Sequence, residues 1–163
     1  MVPVGGQRGV TSARIVLLGG LAVGVLDLLD AFVFFGLRGV PPLRILQSIA
    51  SGLLGREAFQ GGLATGLLGL GLHFGIATAV ATVYYLASGR LRSLATRPWL
   101  YGPLYGLAVY AVMYSVVIPL SAVAARPRPP DVVWNGILIH IVGVGLPSAL
   151  AARAARRHEE ATR

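Results

Sequence analysis

The chain contains no cysteine and no lysine, and only 12% of its 163 residues are charged. The first absence excludes disulfides, iron–sulfur clusters and thiolate metal sites. The scarcity of charge excludes an ordinary soluble domain, in which about a quarter of residues are charged. Disorder is excluded too, because a disordered chain combines low hydrophobicity with high charge density, whereas 55% of these residues are apolar. The solvent that suits this composition is lipid. The expected class is an all-α, polytopic membrane protein.

All 14 basic residues are arginines, set against 6 acidic ones, and the net charge is +8. Such a balance can serve nucleic-acid binding through phosphate neutralisation. These arginines sit in short groups between long uncharged stretches and are not interleaved with aromatics, so they read as topology signals and no nucleic-acid partner is expected. Arginine in place of lysine, together with abundant alanine and glycine, points to a bacterial genome of high GC content.

A hydrocarbon core of about 30 Å takes about 20 apolar residues as a helix. Four stretches reach that length, at 13–37, 62–88, 99–125 and 132–152, and they form one integral-membrane domain, a four-helix bundle. The apolar run Ile15 to Leu37 is longer than a signal-peptide core and lacks a small-residue cleavage site, so it is read as a retained span. The N-terminus, second loop and tail hold nine arginines and the first and third loops hold five. Short cytoplasmic loops are enriched in arginine. Both termini are therefore expected on the cytoplasmic side of a bacterial inner membrane, with 153–163 as a basic tail.

The first loop contains a shorter element. Over 43–54, Arg44, Gln47, Ser48 and Ser51 recur at helical spacing opposite Leu43, Leu46, Ile49, Ala50 and Leu53, behind Pro41 and Pro42. This predicts an amphipathic interfacial helix, lying in the outer interface or over the bundle mouth with a solvated polar face. Arg44, Gln47, Arg56, Glu57, Gln60 and Asn135 fall near that mouth, where they could meet an anionic solute or a lipid head group. Trp99, Tyr101, Tyr105 and Trp134 suit interfacial anchoring, and Pro119 and Pro147 are expected to kink their helices.

Every span carries small residues at helical spacing: Gly20 and Gly24, Gly66 and Gly69, Gly102 and Gly106, Gly136 and Gly143. Small residues let helix backbones approach closely in lipid, where no hydrophobic drive between helices exists. These faces are expected to point inward. A second pair, Gly71 and Gly75, leaves a face for a homo-oligomer or another membrane protein.

The glycine faces lead to ionisable residues within the spans: Asp27, Asp30, His73 and His140. A charge in the membrane is costly and turns to the bundle interior. At 1.5 Å rise per residue, Asp30 and His140 lie roughly 10 to 12 Å below the outer ends of their spans and Asp27 and His73 roughly 15 to 17 Å. Tyr110, Met113 and Tyr114 reach similar depths. One buried polar cluster is expected, suited to proton-linked or small-solute transport or sensing, or else to fixing the helix packing. Two further readings share its histidines: bis-histidine ligation of haem b by His73 and His140, and a divalent metal held by the histidines with one or two aspartates.

No phosphate-loop pattern, serine elbow or defensible Ser-His-Asp set occurs, so a non-enzymatic role is expected. The spacings Gly20 to Asp27, Gly69 to His73 to Gly75, Gly102 to Gly106, and His140 to Gly143 to Gly145 resemble small four-helix bacterial inner-membrane proteins of unknown function, the YagU-like set. That resemblance implies a four-span inner-membrane bundle and no particular activity. Asp30 has no place in its pattern.

Overall fold

The computed structural model describes residues 4–123 and 127–162. The chain forms α1 (Val4–Gly36), α2 (Pro42–Leu54), α3 (Gly62–Arg90) and the short α4 (Arg92–Thr96). Two long helices follow, α5 (Pro98–Leu120) and α6 (Pro130–Ala161). No strand occurs among the described residues. Val10–Gly36 of α1, with α3, α5 and α6, gives four helices long and apolar enough to cross a bilayer.

Their outward faces are apolar: Leu18, Val33, Leu63 and Trp134 are 64%, 62%, 68% and 69% exposed. Exposed apolar side chains in this number mark a surface that meets lipid or another protein. The interior is built from small residues. Val23, Ala77 and Val144 form one packed group, and Tyr84, Ala149 and Ala152 form another. α1 packs on α3 and α6, and α6 packs in turn on α5.

The α5–α6 crossing is close. A methyl group on Gly106 would overlap the carbonyl of His140, and one on Gly145 would lie 2.7 Å from the Gly106 nitrogen. On α3 the glycines act differently from expectation. Gly66 and Gly69 meet Leu43 and Leu46 of α2 rather than another long helix, and nothing lies within 4 Å of Gly71 or Gly75.

Pro42 opens α2, where its fixed φ suits the first helical position, and Gly55 closes it at φ +59°, a conformation that favours glycine. α2 buries part of each predicted face. Gln47 and Ser51 are buried along with Ile45 and Ala50, while Leu53 is 63% exposed and Arg44 and Ser48 are exposed. The buried polar groups have hydrogen-bond partners. Gln47 Nε2 donates to the Gly62 carbonyl at 3.0 Å and reaches Thr65 Oγ1 at 3.4 Å, and Ser48 and Ser51 donate to carbonyls of their own helix.

Two helix ends also differ from the sequence reading. α5 stops at Leu120, five residues short of the predicted 125, because Ser121 turns to extended backbone and the Ala122 amide donates to the Gly52 carbonyl of α2 at 2.9 Å. Residues 124–126 lie outside the described residues. α6 runs on to Ala161, so the predicted basic tail is mostly helical, with Ala155 fully buried.

Candidate polar cavity

α5 packs alongside α6 and leaves a gap toward α3. This gap is a cavity of about 880 Å³, lined by residues of α1, α2, α3, α5 and α6. On α1 its lining extends from Val23 to Phe35, roughly 18 Å along the axis. α2 and the turn Gly55–Phe59 cover one end. At the other end Tyr105 closes the gap: its hydroxyl donates to the Val80 carbonyl at 2.8 Å and its ring meets Tyr84 edge-on with centroids 4.9 Å apart.

Asp27, His73 and His140 all line this cavity, as do Met113 and Tyr114. His73 Nε2 lies 2.8 Å from the Gly24 carbonyl. A carbonyl only accepts, so this nitrogen carries the proton and donates. Nδ1 then faces Asp27 Oδ2 at 4.0 Å, a separation at which protonation of the ring would create an ion pair. His140 is held in the mirror sense. Its Nδ1 donates to the Gly136 carbonyl at 2.9 Å, which leaves Nε2 free. Each histidine is therefore fixed by a glycine carbonyl and keeps one nitrogen with a lone pair.

Tyr110 is buried and lies behind the cavity wall. Its ring packs edge-on against His140 with centroids 5.4 Å apart and lies 4.5 Å from the Tyr114 ring. Arg128, in the loop before α6, stacks 3.5 Å above the centre of the Tyr114 ring and donates to the Tyr110 hydroxyl at 3.1 Å. No sequence pattern announces that arginine, because its partners are aromatic faces on another helix.

Asp30 stays beside Asp27 and His140, since three residues leave it only about 60° around the helix from Asp27, but it is not part of the cavity lining; Asn135 Nδ2 of α6 donates to its Oδ2 at 2.7 Å. Of the residues expected at the mouth, Arg44 and Arg56 line the cavity. Gln47 is buried against α3, Asn135 is held by Asp30, and Glu57 is exposed on the turn after α2.

Met113 and His140 each begin a π-helical turn, at Met113–Val117 and His140–Gly145. The Ile118 amide bonds back to Met113 and the Leu146 amide back to Ile141, five residues rather than four. Proline explains both. Pro119 and Pro147 have no amide proton for the carbonyls of Ser115 and Gly143, and their rings crowd those carbonyls. The wider turn relieves the clash, and π-turns of this kind commonly shape functional sites.

Among the described residues no three of His, Asp and Glu are grouped so as to hold a metal ion. Comparison of the chain with protein-family models, curated proteins and solved structures found no match in any of the three. The class rests on the chain itself: an all-helical protein with four helices long and apolar enough to cross a membrane, and a large cavity lined by ionisable groups at mid-helix.

Proposed function

We propose that the chain is a multi-pass membrane protein, with both termini cytoplasmic in a bacterial inner membrane, that binds a small solute in this cavity and transports or senses it together with a proton. The observation that supports this reading is that Asp27, His73 and His140 all line the same 880 Å³ space, a volume within the range of about 300 to 1,000 Å³ usual for ligand sites. Ionisable groups inside spans mark pathways and proton relays. Asp27 facing the unbonded nitrogen of His73 is a place where a proton can be held and released. The arginine bias toward the terminal end supports the orientation.

The test is flux into proteoliposomes with a trapped pH dye while amino acids, organic acids and sugars are presented outside. Proton-coupled uptake should fall at least tenfold in Asp27→Asn and in His73→Ala. Uptake unchanged by both substitutions would sink the proposal. A second reading, an accessory subunit, draws support from Gly71 and Gly75, whose small-residue face meets nothing within 4 Å. It requires co-purification of a partner in mild detergent that a Gly71→Leu substitution abolishes.

A further inference from the structure

At the end of the bundle opposite the large cavity, α3, α4 and α6 enclose a smaller one of about 260 Å³. Its wall carries four guanidinium groups, from Arg92, Arg153, Arg156 and Arg157, against the carboxylates of Glu159 and Glu160. The balance there is two positive charges in excess.

The charges are not equally free. Arg156 is fully engaged: Nη1 donates to Glu159 at 2.9 Å, Nη2 to the Tyr85 carbonyl at 2.8 Å and Nε to the Ser88 hydroxyl at 3.2 Å. It also stacks 4.2 Å from the centre of the Tyr85 ring. Glu159 accepts a further bond from the Tyr85 hydroxyl and has little left for another cation. Glu160 reaches Arg92 only at 3.4 Å with both side chains exposed, a contact worth little in solvent. Arg153 and Arg157 have no ion pair or hydrogen bond among the described residues.

These two arginines stand four residues apart on one face of α6, where like charges repel. In a flexible tail they would swing apart. Here the helix beneath them is fixed by the fully buried Ala155 and by the bonds of Arg156 to α3. The helix therefore keeps the stems of these arginines beside one cavity, where an anion with several acceptor oxygens can bridge their heads, and guanidinium geometry matches phosphate oxygens. The cavity also lies at the end of the apolar stretches of α3 and α6, where basic pockets between helices meet phospholipid head groups.

We propose that this cavity binds a phosphate group, with Arg153 and Arg157 as its principal ligands and Arg92 as the third. The group is carried either by an anionic phospholipid of the adjoining leaflet or by free phosphate.

The experiment uses the full chain in phosphatidylcholine nanodiscs. One arm measures, by electron paramagnetic resonance, the immobilised fraction of spin-labelled phosphatidylglycerol and phosphatidate relative to spin-labelled phosphatidylcholine. The other measures the thermal stability of the protein as inorganic phosphate is added. The anionic lipids should be preferred about fivefold or more, and Arg153→Gln/Arg157→Gln should reduce that preference to near unity. Arg90→Gln, at an exposed arginine outside the cavity, should leave it unchanged. A shift in stability with phosphate would identify free phosphate as a sufficient ligand, and lipid preference without that shift would identify the head group. Because the two arginines repel one another, the double variant should be at least as stable as the wild type when no anion is present, which separates loss of the site from loss of the fold. An equal loss of preference in Arg90→Gln, or no anionic preference together with no effect of phosphate, overturns the proposal. So does a double variant that unfolds at lower temperature in both arms.

Discussion

Asn135 donates to Asp30 across the α1–α6 seam at 2.7 Å, and this bond separates the two aspartates of α1 into different roles. Asp30 joins helices, while Asp27, less than one turn away, faces the cavity. Asn135→Ala leaves a half-buried carboxylate without its donor and should cost about 1 to 3 kcal/mol. Asp30→Asn keeps a hydrogen-bonding pair and should cost less. Thermal unfolding of the two variants in one detergent gives the order, and the reverse order would refute the role assigned to Asp30.

The histidines should exist as opposite tautomers when neutral. His73 donates from Nε2 and His140 from Nδ1, so nitrogen chemical shifts of histidine-labelled His158→Gln protein, which keeps only these two histidines, should show one ring of each kind. Two rings of the same tautomer in that variant would contradict the arrangement of the cavity wall.

Glycines that look alike in sequence should respond in opposite ways. Gly106→Ala places a methyl group on the His140 carbonyl, forces α5 away from α6 and should cost more than about 2 kcal/mol, or prevent folding. Gly71→Ala meets nothing within 4 Å and should raise stability by up to about 1 kcal/mol through helix propensity. Yield of monodisperse protein and unfolding temperature check both.

If the prolines cause the π-turns, Pro147→Ala restores an amide proton opposite the Gly143 carbonyl and should return 140–145 to ordinary helix. Amide hydrogen exchange across 140–146 should then slow. The helix should become no less stable, while proton-coupled flux should drop because His140 has moved. Unchanged exchange would mean that something other than proline holds the wide turn.

The four long helices, α2 and the ionisable residues inside the spans were legible from hydropathy, proline positions and the scarcity of charge. What was not legible depends on partners distant in sequence. Periodicity shows that α2 has a polar face but not which of its residues are buried. The burial of Gln47 follows from the carbonyl of Gly62 and the hydroxyl of Thr65, on another helix. Depth grouped Asp30 with Asp27, and what distinguishes Asp30 is a partner 105 residues away, Asn135. Arg128 finds Tyr110 and Tyr114 from a loop, and the continuation of α6 depends on Ala155 packing where composition showed only charge.

α6 carries both cavities on one rod. His140 lines the larger and Arg153 and Arg157 line the smaller, and the 13 residues from His140 to Arg153 place them about 20 Å apart. Between them lies the π-turn, which holds one more residue than an ordinary turn would. Gaining or losing that residue swings everything beyond it by about 100°. The ring of Pro147, which leaves no amide for the Gly143 carbonyl, therefore sets the angle at which the arginine face stands relative to His140.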